Sequence, residues 1–193
     1  QGEKVFEREG CAQCHAATTK LTPAEGFQIP PEDLKKYDIV PIVVGTDPGL
    51  ARCGYAVIVG DRRRPRLIAA GTFVTPARAD PAQRLLTLAN ALQRLIVRYR
   101  PTRVAFERLF FQTNTSTAMA VSEARGVLRL VCARAHLPAR EFTPTTVKRT
   151  VAGYGTADKR AIQKMIRLLL GASPAWRDDD AADAAAVALT TAF

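Results

Sequence analysis

Beyond Ile39 the apolar residues gather into short runs. One passes through Val43 and Val44 to end on Asp47, a second spans Gly54 to Val59, and a third Leu67 to Val74. Runs of this length, separated by Asp47-Pro48-Gly49 and by Gly60-Asp61, predict three consecutive strands joined by turns. The period then changes. Asp80-Pro81 supplies an N-cap and a first-turn proline, and Leu85, Leu88, Ala89, Leu92, Leu95 and Ile96 recur at helical spacing, with Arg84, Arg94 and Arg98 off that face. Pro101 ends this amphipathic helix, and Arg103 to Phe106 predicts a short buried strand that delivers Glu107 at its far end. A long helix follows from about Thr115 to Ala135, with Ala120, Ala124, Val127, Leu128 and Val131 on one face. Leu137 to Thr143 predicts a fifth strand, and Thr156 to Leu170 and Asp178 to Ala192 two further helices. That order implies an α/β protein, a central sheet of five strands flanked by helices.

Residues 1–37 show no such periodicity, mixing charges with Thr18, Thr19, Thr22 and the Pro30-Pro31 pair, so a boundary is expected between an N-terminal extension (1–37) and a folded domain (38–193). Charge divides in the same place. Residues 1–40 hold five Lys/Arg and seven Asp/Glu, leaving 23 basic and 11 acidic residues for the remainder, a surplus of +12. A domain this basic suits a polyanionic partner, because each phosphate it neutralises releases counterions, although a basic, well-solvated surface is the simpler reading of charge alone. No apolar run is long enough to cross a bilayer, which sets membrane functions aside, and no targeting signal is legible; the expectation is a cytoplasmic protein. The four cysteines form no disulfide framework.

Several carboxylates stand where the apolar pattern does not call for charge. Asp47 closes an apolar strand and Glu107 another; considered singly, the first is also an ordinary turn residue before Pro-Gly and the second an ordinary strand end. Asp178, Asp179, Asp180 and Asp183 crowd the start of the last helix, where capping and the helix dipole account for one acid rather than four. Asp180 and Asp183 share a face, with alanines on every side of them, and like charges at that spacing repel unless a cation lies between. Acids at two strand ends and one helix start point to a single edge of the sheet. Hard divalent cations such as Mg2+ or Mn2+ take oxygen ligands, and a pair roughly 4 Å apart clamps the attacking and leaving oxygens of a phosphodiester.

Taken in order, Gly45-Thr46-Asp47-Pro48-Gly49, Gly54-Tyr55-Ala56-Val57-Ile58, Phe106-Glu107-Arg108-Leu109-Phe110 and Asp180-Ala181-Ala182-Asp183-Ala184 resemble the RuvC-type Holliday junction resolvases. The similarity continues through Glu123-Ala124-Arg125-Gly126-Val127, Val147-Lys148 and Gly155-Thr156-Ala157-Asp158-Lys159, and covers residues 41–193. It implies an RNase H-like fold and a homodimer that nicks two like strands of a four-way DNA junction symmetrically, leaving a 5′-phosphate and a ligatable 3′-hydroxyl. Asp47, Glu107, Asp180 and Asp183 match the family's metal-binding and catalytic acids, which implies Mg2+ or Mn2+, two ions per active site; some members carry His at one of the two last positions. Phe110, with Phe111 beside it, matches an aromatic that stacks on unpaired bases, a contact worth ~1–3 kcal/mol per base. Lys148 and Lys159 match basic residues near the scissile phosphate, with Arg149 adjacent. The family also works with the RuvA and RuvB branch-migration proteins. From the residues alone, the phenylalanines also suit a core and the basic residues a solvated surface.

The family pattern leaves out the first 37 residues. There Gly2, Phe6 and Cys11-Ala12-Gln13-Cys14-His15 resemble the opening of a small c-type cytochrome, but no distal methionine is at hand outside the resolvase-like domain and haem attachment belongs to another compartment. The Cys11, Cys14, His15 motif is therefore taken as non-functional, with no haem expected. Two other functions bear on residues 38–193: a non-catalytic junction-binding protein, against which the full set of acids argues, and an actin-like phosphotransferase, which needs two such domains around a nucleotide.

Overall fold

A computed structural model describes residues 42–60, 63–108, 115–171 and 173–192; for Ile42, Val43, Asp47, Thr115, Ser116, Thr117, Pro174 and Arg177 it describes the backbone alone. The expected N-terminal extension, its boundary, the Cys11, Cys14, His15 motif and both Phe110 and Phe111 lie outside the described residues.

Five strands form one sheet: β1 (Ile42–Asp47), β2 (Arg52–Val59), β3 (Arg66–Val74), β4 (Arg103–Glu107) and β5 (Ala139–Phe142), in the spatial order β3-β2-β1-β4-β5. The first three make an antiparallel meander, while β4 pairs in parallel with β1 and β5 in parallel with β4, each after a helical crossover. Both faces of the sheet are covered, so its central strands are apolar on both sides. Ala56 and Ile58 face one helical layer, and Tyr55, Val57 and Val59 the other. A bulge between Val57 and Ile58 inserts Ile68 into β3, which turns Ile68 and Ala69 toward the same layer.

One layer is formed by α1 (Pro81–Tyr99) and α2 (Thr115–Arg134). Asp80 caps α1 through its side chain, which accepts from the backbone N–H groups of Ala82 and Gln83, and Leu88, Leu92, Leu95 and Ile96 bury the predicted stripe. Ala124, Leu128, Val131 and Cys132 do the same for α2. The opposite layer holds α3 (Pro144–Ala152), α4 (Lys159–Leu170), a 3-10 turn (Pro174–Arg177) and α5 (Asp179–Ala192).

Two elements differ from the sequence expectation. The helix α3 was not expected: five of its nine residues are β-branched, which disfavours a helix, and it forms because Thr143 caps it, Pro144 starts it, Gly153 ends it in the left-handed region and Val147 and Val151 are buried. Helix α4 begins three residues later than expected, at Lys159, because the Asp158 side chain accepts from the Ala161 N–H and fixes the cap there.

Candidate active site

The site is built where β1 and β4 end. They run parallel with Thr46 beside Phe106, so the last residue of each, Asp47 and Glu107, stands at the same end of the sheet. On its other side Asp47 pairs with Gly54 of β2. Helix α5 crosses β1 and β2 with almost no gap: a Cβ at Gly45 would lie 2.1 Å from the Ala184 carbonyl oxygen, and one at Gly54 would lie 1.9 Å from that of Asp180. Two glycines on the strands and a run of alanines on the helix thus let backbone rest on backbone. This contact seats the first turn of α5, with Asp180 and Asp183, beside the strand ends.

Glu107 and Asp183 face a cleft of about 230 Å³ that Lys148 of α3 and Lys159 of α4 also line, with Pro144, Val147, Ile162, Ala186 and Val187 forming its apolar walls. Burial pushes the Glu107 carboxyl above the ordinary carboxylate range and the charge of Asp183 adds to this, partly offset by Lys148. Burial raises Asp183 as well, and Asp179 and Asp180 add to the effect while Lys159 opposes it. Burial works against the charge of Lys159 in turn, but its bond to Asp179 and the charges of Asp183 and Asp179 outweigh that and hold the ammonium group above its usual value. Its Nζ lies 3.1 Å from Asp179 and 3.5 Å from Asp183.

Asp180 turns elsewhere. Its Oδ2 accepts from Nε of Arg52 at the start of β2, and Nη2 of the same guanidinium donates to both oxygens of Asp178 at 2.9 Å. Asp178 caps α5: its Oδ1 accepts from the Asp180 N–H and its carbonyl from the Ala182 N–H. Burial raises the Asp178 carboxyl, but the nearby Thr72 hydroxyl and the bonds and charge of Arg52 outweigh it and leave the group below the ordinary range.

Of the predicted acids, then, Glu107 and Asp183 are brought together, Asp180 lies one turn away on the same helix with its carboxylate drawn to Arg52, and the Asp47 carboxylate lies outside the described atoms. Among the described side chains no three acid, histidine or thiol groups gather closely enough to share an ion. Carboxylates this near repel, and those at the head of α5 pair with cations of the protein itself. Lys148 and Lys159 line the cleft, whereas Arg149 is exposed on α3 and does not line it. Sequence reasoning missed Arg52. An arginine at the head of a strand carries no signal of its own, although it sits between the two motifs quoted for the resemblance.

Comparison with known proteins adds to this geometry. A sequence model of the family described as Crossover junction endodeoxyribonuclease RuvC matches residues 43–191. Two relatives of that description, from Heliobacterium modesticaldum and Chloroflexus aggregans, are 45% and 47% identical over 151 and 150 residues; each alignment covers 78% of this chain, and 93% and 92% of the respective relative. Among solved structures, the fold is similar to that of T. thermophilus RuvC in complex with Holliday junction substrate, at a TM-score of 0.76 and 31% identity, covering 79% of this chain and 93% of that one.

Proposed function

Since the chain belongs to the RuvC family of crossover junction endodeoxyribonucleases, we propose that it resolves four-way DNA junctions by nicking two like strands symmetrically, with Asp47, Glu107, Asp180 and Asp183 as its metal-holding acids. The observation that carries this reading is the cleft in which Glu107 and Asp183 face one another beside Lys148 and Lys159. The donor set fits a hard divalent cation, being oxygen only, and two carboxyls raised by burial and by neighbouring acids gain from a positive charge beside them. A bound Mg2+ or Mn2+, two ions in the full site, supplies Lewis-acid polarisation of the phosphate and a water acidic enough to attack near neutral pH.

The chain's own residues do the rest. Lys148 and Lys159 approach from helices on one side of the cleft and hold the non-bridging oxygens of the scissile phosphate, while the apolar wall of Val147, Ile162 and Val187 limits water. Attack leaves a 5′-phosphate and a 3′-hydroxyl that a ligase can rejoin. Arg149 serves the DNA backbone farther out, and Phe110 or Phe111, a few residues beyond Glu107 in the chain, stacks on bases at the crossover by the family resemblance. Two like cuts need two sites, so the functional unit is a homodimer; the outer face of α2 suits the contact, with Met119 and Leu130 exposed at 67% and 52%. RuvA and RuvB as partners, and a cytoplasmic location, rest on the family alone.

A synthetic four-way junction with end-labelled strands, incubated with Mg2+ or Mn2+, tests the reading. Paired nicks in like strands are expected, with linear duplex left intact. Glu107→Gln and Asp47→Asn should abolish cleavage while junction binding survives. Normal cleavage by either variant would sink the assignment, and intact strands at every sequence tried would make the protein a junction binder instead.

A further inference from the structure

Arg52 joins two acids with different duties. Its Nη2 grips both oxygens of Asp178, the residue that caps α5, and its Nε holds a single oxygen, Oδ2, of Asp180 two residues on. The Asp178 end is built in: Asp178 is tied by its own Oδ1 to the Asp180 N–H and by its carbonyl to the Ala182 N–H, so the guanidinium is anchored to the helix start. The Asp180 backbone is fixed as well, resting on Gly54 two residues along β2 from Arg52. What backbone and cap leave open is the rotation of the Asp180 carboxylate, and Arg52 restrains it by holding one of its two oxygens. Only a planar fork spans both carboxylates in this way; the compact ammonium of a lysine does not.

We propose that Arg52 is a positioning residue that orients Asp180 as a metal ligand. This rests on the reading of Asp180 as a ligand given above. Groups that orient metal ligands from behind typically govern about 10–100-fold in metal affinity or activity.

The sign of the effect separates positioning from simple charge. A guanidinium beside a metal ligand repels the incoming cation, so if charge were its whole influence, Arg52→Gln would bind metal more tightly. If Arg52 positions Asp180, the same variant binds more weakly. The test is a Mn2+ titration of the full chain without DNA, with free Mn2+ followed by electron paramagnetic resonance, on wild type, Arg52→Gln, Arg52→Lys and Asp180→Asn, each checked for an unchanged thermal midpoint. The expected result is a loss of about 10-fold in Mn2+ affinity for Arg52→Gln, little or no rescue by Arg52→Lys, and a loss at least as large for Asp180→Asn. Weakened binding in Asp180→Asn together with unchanged or tighter binding in Arg52→Gln would overturn the proposal alone, as would full affinity in Arg52→Lys. Full affinity in Asp180→Asn would instead overturn Asp180 as a ligand, and the proposal with it.

Discussion

Burial works against the charge of Glu107, and Asp183 makes the position worse. A residue so placed costs the fold stability, which the proposed catalytic role would require it to forgo. In a chelator, with no cation to offset the repulsion, Glu107→Gln is expected to raise stability by about 1 kcal/mol, or about 2–4 °C in thermal midpoint for a chain of this size. The pH dependence follows from the direction of the shift. Because the folded-state value is raised, folding favours the protonated acid, and the wild type recovers stability as pH falls through that raised value toward the ordinary carboxylate range. The gap between wild type and Glu107→Gln should therefore narrow on mild acidification; a constant gap in scanning calorimetry would contradict it. Asp178 behaves in the opposite sense, its lowered value giving stability that is present above the ordinary carboxylate range and is lost as pH falls through the folded value. At this scale the site was partly legible. Glu107 and Asp47 stand out because charge interrupts an apolar run, whereas Arg52 does not, since its importance lies in contacts made 126 and 128 residues away.

Elements turn these residues into a site, and the contact between α5 and the β1–β2 pair matters most. Gly54→Ala would place a methyl group 1.9 Å from the Asp180 carbonyl oxygen, a clash with backbone that no rotamer relieves. The first turn of α5 must then lift from the sheet, taking Asp180 and Asp183 with it. The expected cost is about 1–3 kcal/mol or more in urea denaturation, with cleavage lost well before folding is. A Gly54→Ala enzyme cutting at the wild-type rate would show that this seat is not needed. Short apolar runs bounded by turn residues made the strands legible, and the helically spaced stripe at Leu88, Leu92 and Leu95 made α1 so. The helix α3 stayed hidden because its composition favours a strand and its caps and burial decide otherwise. That matters for function, since α3 carries Lys148 into the cleft.

On the scale of the whole molecule, residues 41–193 carry a surplus of +12. Junction affinity should fall linearly with salt on a double-logarithmic plot. The loss is roughly 10³–10⁵ between about 50 and 200 mM if some 6–10 phosphates are contacted. Lys148→Ala, measured by fluorescence anisotropy, should lower the slope by about one phosphate's worth. An unchanged slope would place Lys148 off the DNA. The family match begins at residue 43, so a chain lacking residues 1–37 is expected to cleave junctions at the full-length rate. The order of the elements has one more consequence. Asp180 and Asp183 lie on the helix that comes last, packed on strands made first. During synthesis, β1 to β5 leave the ribosome and begin to fold with two of the four acids in place, but chains released before α5 emerges lack the other two. Such unfinished copies keep the basic surplus but lack half of the proposed metal-holding acids, so they are expected to bind DNA without cutting it.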